Sequence, residues 1–119
     1  MESIVIKDRK ITTPIPKDFI FENHTLTIPK NKQYQEPIKI TLEDDNNDWL
    51  NIIVSKNTSI KIILDFANQS TSENKYHLNL LAKENSNVKY LLVSELQSEK
   101  ALLEHYFTAE RFASLDLVG

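Results

Sequence analysis

Three histidines, His24, His77 and His105, are the side chains whose ordinary titration falls near neutrality, and they are the first candidates for acid–base or metal chemistry. None stands at a recognised metal-ligand spacing from another. His77 precedes Leu78 at a predicted strand start and reads as a rim residue. His105 follows Glu104, but neighbouring residues of a strand point to opposite sides, so these two diverge. The acidic run Glu43, Asp44, Asp45 and Asp48 offers the carboxylate oxygens that calcium prefers. It lacks the alternating aspartates, the glycine and the closing glutamate of an EF-hand, and reads as a solvated loop.

The sequence contains no cysteine, which excludes disulfides, thiolate metal ligands and a cysteine nucleophile. Its one glycine is Gly119, so it has neither a glycine-rich phosphate loop nor a Gly-x-Ser-x-Gly nucleophile elbow. With no catalytic constellation and no metal cluster in view, the expectation is a non-enzymatic chain that holds no cofactor by itself.

What must position these residues is a single domain. A chain of 119 residues supports one modest core, and 40% apolar with 26% charged residues is ordinary globular composition. The balance of 14 basic against 17 acidic residues leaves a net charge of −3, too little positive field to hold a nucleic acid or an anionic membrane surface. Residues 1–10 lack the apolar stretch and cleavage site of a signal peptide, and no apolar run reaches membrane-spanning length, so a cytoplasmic location is expected.

The organising signal is a repeat. The segment Leu50-Asn-Ile-Ile-Val-Ser-Lys-Asn57-Thr-Ser-Ile60-Lys-Ile-Ile-Leu64 returns, without a gap and 28 residues on, as Leu78-Asn-Leu-Leu-Ala-Lys-Glu-Asn85-Ser-Asn-Val88-Lys-Tyr-Leu-Leu92. An earlier partial copy runs from Leu26 to Asn31 and resumes at Ile38, after an insertion that contains Pro37. A later one begins at Ser114. The second strands of the units thus start at residues 38, 60, 88 and 115, a spacing typical of solenoids.

Each unit reads as strand, tight turn, strand. Asn57 and Asn85 supply the turn, because asparagine tolerates the left-handed conformation that glycine usually provides. Lys39, Lys61 and Lys89 alternate with apolar neighbours, so they face solvent while Ile38, Ile60 and Val88 face the core. A solvated lysine face is preferred here to a binding stripe. Trp49, Tyr76, Tyr106 and Phe107 fall near the starts of the units, where aromatics cover a core.

Polar loops are expected at 43–48, 68–75 and 97–100. Residues 99–113 could be laid on one side of a helix, but repeat register places a strand there. Pro14 and Pro16 make residues 1–19 an extended N-terminal lead-in, ahead of a repeating domain at 20–119.

The strings Leu26-Thr-Ile-Pro-Lys-Asn31, Glu36-Pro-Ile-Lys-Ile40, Asn51-Ile-Ile-Val54, Glu84-Asn-Ser-Asn-Val-Lys-Tyr90 and Ser114-Leu-Asp-Leu-Val-Gly119 resemble, in order and spacing, the opening of the central domain of the SufB/SufD family. These proteins are scaffold subunits of iron–sulfur cluster assembly. The resemblance implies a right-handed parallel β-helix, here short and truncated, and a scaffold role through strand-edge association as a homodimer or with SufB- and SufC-type partners. It carries over no functional residue, since the cluster-handling side chains of that family lie in later coils.

Leu115 to Gly119 begins a coil with nothing after it, and an open solenoid end must be capped or paired. Leu115, Leu117 and Val118 are therefore the expected partner-binding residues. The rival expectation is a small β-solenoid or β-sandwich ligand-binding domain unrelated to cluster biogenesis.

Overall fold

The structure is a computed structural model that describes residues 2–7, 10–43, 48–66, 75–94 and 102–118. They form β1 (Glu2–Lys7), β2 (Lys10–Ile11), β3 (Ile20–Glu22), β4 (Thr25–Ile28), β5 (Ile38–Leu42), β6 (Asp48–Val54), β7 (Ser59–Phe66), β8 (Lys75–Ala82), β9 (Asn87–Ser94), β10 (Leu102–Ala109) and β11 (Ser114–Val118). The fold is all-β, in two mixed sheets ordered β11-β9-β7-β5-β1-β2 and β10-β8-β6-β4-β3. Among the described residues no helix is long and apolar enough to cross a membrane.

From β4 onward the chain crosses between the sheets at every step, and each strand pairs in parallel with the one two further on. The two gapless copies lie directly on one another. Leu50 pairs with Leu78, Asn51 with Asn79 and Ile52 with Leu80. In the other sheet Ile60 pairs with Val88, Ile62 with Tyr90 and Leu64 with Leu92.

Alternation then sorts the side chains, because a strand exposes its two faces in turn. Ile4, Ile40 and Leu64 stack as one buried row, and Leu26, Ile52 and Leu80 as another in the facing sheet. Within 99–113, residues 102–109 are strand as repeat register requires, with β10 pairing along β8 from Leu102 opposite Lys75 to Ala109 opposite Ala82.

One register differs from the sequence reading. Ile60, Val88 and Leu115 do share a row, but Ile38 pairs with Ile62 instead of Ile60. Gln33 already bridges Ser59, so the first unit carries two extra residues between that bridge and Ile38. Pro37 sits in this excess, where it has no N–H to give to a ladder. A shift of two preserves the faces, and Ile38 and Ile40 remain buried.

The turns between the two strands of each unit repeat as faithfully as the strands. Asn31, Asn57 and Asn85 take left-handed φ values of 60°, 57° and 60°. The N–H of Asn31 donates to the Lys56 carbonyl, that of Asn57 to Glu84 and that of Asn85 to Arg111. Asn57 also donates from Nδ2 to Oδ1 of Asn31 at 3.0 Å. Just after each turn Thr58 and Ser86 are buried with their hydroxyls satisfied by Pro29 O at 2.7 Å and Lys83 O at 2.6 Å.

In the last unit this turn position is held by Phe112, φ 60°, which is 70% exposed with the Arg111 guanidinium 4.8 Å over its ring. The left-handed conformation costs a non-glycine residue about 1–2 kcal/mol, and an exposed cation–π contact returns about 0.5–1. Phe112→Asn should therefore stabilise the protein by about 0.5–1 kcal/mol. Chemical denaturation measures it, and a loss of stability would show that the ring is needed where it stands.

Residues 2–22 supply the remaining strands at one end. β1 pairs in parallel with β5, placing Ile4 and Ile6 in the core, and β2 folds back antiparallel on β1. β3 folds back antiparallel on β4 through Asn23 and His24, both at positive φ. Two successive positive φ values are the signature of a tight two-residue hairpin turn. Phe19 is buried beside them and meets Tyr34 edge to face at 5.8 Å.

Candidate functional site

The two ends of the strand stack are built differently. One finishes in β2 and β3, of two and three residues, both antiparallel to their neighbours. Short reversed strands leave little edge for another chain to extend. The other finishes in β10 and β11, of eight and five residues, both parallel continuations of their sheets and both outermost in strand order.

The sequence-predicted partner residues fall on this second end. Leu115 pairs with Val88 and Leu117 with Tyr90, so both occupy core-facing register positions. Val88 and Tyr90 are buried, whereas Leu115 is half-buried and Leu117 is 55% exposed. Val118 takes the next register position, opposite Leu91. Leu115 and Leu117 thus point to the same face of β11.

In the facing sheet Phe107 pairs with buried Leu80 but is itself only half-buried, and it meets Tyr90 edge to face at 5.6 Å. Exposed Tyr106 lies opposite Asn79. Phe107, Leu115 and Leu117 therefore form an apolar layer that continues the core rows and is covered on one side. Each buried apolar side chain is worth about 1.5–3 kcal/mol relative to exposure, so this layer is a surface with energy to gain.

Sequence reasoning missed Tyr106 and Phe112 as surface aromatics at this end. Phe112 had a positional signal, 27 residues beyond Asn85, but not a residue-type signal. The three histidines stand at separate backbone positions. His24 sits in the β3–β4 turn, His77 pairs with Glu104 in register, and His105 pairs with Leu78. Among the described residues no group of three or more histidine, cysteine, aspartate or glutamate side chains could hold a metal ion. In the acidic run, Asp44 and Asp45 fall outside the described residues, as do most of the polar loops expected at 68–75 and 97–100.

Tyr90 lies beneath the layer, and burial pushes its phenol well above the ordinary value of 10.0. The proton is thus held more tightly in the folded chain than in the unfolded one. Its contribution is fully present below pH 10 and is lost as pH rises above that value, because the unfolded chain ionises first. Tyr90→Phe should flatten the alkaline fall in stability while changing little at pH 7. Denaturant midpoints between pH 7 and 11 check this, and an unchanged alkaline slope would assign the fall to other groups.

Comparison with known proteins returns no match: no family model, no curated protein and no solved structure is detectably similar to the chain.

Proposed function

We propose that the chain is a right-handed parallel β-helix module of a non-enzymatic assembly scaffold, related to the SufB/SufD proteins, which works by joining sheet edges with a second copy of itself. The handedness follows from sterics, since parallel strands linked by crossovers are almost always joined right-handedly. The parallel ladders from β4 onward support a β-helix over the antiparallel sheets of a β-sandwich.

The observation that carries the reading is the contrast between the ends. A partner that adds to β10 and β11 must bring two strands at once, at the spacing of the two sheets, and must cover Phe107, Leu115 and Leu117. A second copy offers such a pair of strands. Its opposite end, with two- and three-residue reversed strands, does not, so head-to-tail stacking is disfavoured and like ends meet. A closed pair follows from that geometry, in place of a fibre.

Light scattering coupled to size exclusion tests this. A dimer at high micromolar concentration supports the proposal, and a monomer across that range overturns it. Co-expression with a SufB-type subunit tests the pathway separately: a mixed pair ties the module to iron–sulfur assembly, and a homodimer that refuses SufB overturns that kinship while leaving edge pairing intact.

A further inference from the structure

The lysines that the sequence places on one solvated face do not form one stripe. Lys39 pairs in register with Ile63, one row away from Lys61, and its Nζ lies 3.5 Å from Oδ2 of Asp65. Lys61 and Lys89 stand directly opposite one another on β7 and β9, both exposed. Like charges opposed across two strands repel. Asp116 follows Lys89 in the same row, yet among the described residues no ion pair joins either lysine to a carboxylate.

Both lysines line a cleft of about 250 Å³, together with Tyr34, Ser59, Ile60 and Asn87. The polar lining is rich in donors. Ser59 pairs with Asn87 in the adjoining row, so a hydroxyl and an amide lie beside the lysine pair. The Asn87 Oδ1 already accepts from the Ser114 hydroxyl at 3.0 Å, which leaves the amide nitrogen as the group it can offer. Desolvation and the negative charge of Asp18 push the Tyr34 phenol above its ordinary value, so it too keeps its proton. A chain with a net charge of −3 thus gathers two cations and three neutral donors around one small cleft, with Asp116 in register beside Lys89 and Asp18 near Tyr34 as the neighbouring carboxylates, while Asp65, farther along the same face, is engaged by Lys39.

We infer that this cleft on the outer face of β7 and β9 binds a phosphate group, bridged between the Lys61 and Lys89 ammoniums and oriented by Ser59, Asn87 and Tyr34. A dianion placed there removes the repulsion between the lysines and accepts charge-assisted hydrogen bonds from both. Nothing in this depends on how the sheet edges pair.

The test is a titration of the ¹⁵N-labelled protein with inorganic phosphate, against sodium chloride at matched ionic strength. Saturating amide shifts at Ser59, Lys61, Asn87 and Lys89, absent with chloride, are expected. Lys61→Ala should weaken binding by about tenfold or more, as loss of a charge-assisted partner does. Lys89→Glu should abolish saturation. Lys39→Ala should leave the phosphate response intact. A response that does not saturate, one matched by chloride, or one that survives Lys89→Glu overturns the site.

Discussion

Ile62→Ala should cost about 4 kcal/mol of folding stability, near the upper part of the range for removing a buried aliphatic side chain. Ile62 is fully buried and sits in the row between Ile38 and Tyr90, so its neighbours are themselves fixed by ladders above and below and have little room to collapse into the space. Small domains are stable by about 5–15 kcal/mol in all, and a loss of this size removes a large part of the whole. The adjacent substitution, Lys61→Ala, should change stability by less than about 0.5 kcal/mol, because Lys61 points to solvent. Urea unfolding of the two variants reads the period of two directly. Equal losses at both positions would mean that β7 is not held between two faces as described.

Leu117→Lys should convert the proposed like-end dimer into a monomer, raising the dissociation constant by about 100-fold or more, which corresponds to about 2.7 kcal/mol. The effect has two sources. The substitution takes an apolar anchor out of the layer formed with Phe107 and Leu115, and it forces an ammonium against a second copy of that layer. In the monomer Leu117 is already more exposed than covered, so the variant should fold with near-normal stability and an unchanged circular dichroism spectrum. Light scattering distinguishes the outcomes: a variant that stays dimeric at the concentration where the parent is dimeric places the interface elsewhere.

The part of the fold that was legible in the sequence is the part that repeats. The gapless copies at 50–64 and 78–92 match the pairing of β6 with β8 and of β7 with β9 to the residue, because that register sets like on like, Leu50 on Leu78, Ile52 on Leu80, Ile60 on Val88 and Leu64 on Leu92. Asn57 and Asn85 announced their turns for the same reason, since few residues other than glycine accept a left-handed backbone.

Legibility faded where the pattern was interrupted. The two excess residues between Gln33 and Ile38 moved Ile38 by two positions, a shift that leaves polarity unchanged and so leaves no trace in the alternation. Phe112 occupies an asparagine's place without resembling one. Residues 1–19 read only as an extended lead-in, because the pairing of β1 with β5 that buries Ile4 and Ile6 depends on a return through two prolines that no local pattern specifies. At the candidate interface, Leu115 and Leu117 were identifiable from their slots in the repeat. The exposed aromatics beside them were not, because exposure depends on what lies beyond the last row and not on residue type.

The steady interval between partners has a kinetic side. From β4 onward, the chain returns to its own ladder after 24 to 28 residues each time, and each interior strand hydrogen-bonds two neighbours in its sheet. The entropy of closing a loop grows only with the logarithm of its length, so every round of winding meets nearly the same entropic barrier, and none requires the far ends of the molecule to meet. Such a chain can assemble like a zipper, each finished rung serving as the template on which the following one is laid.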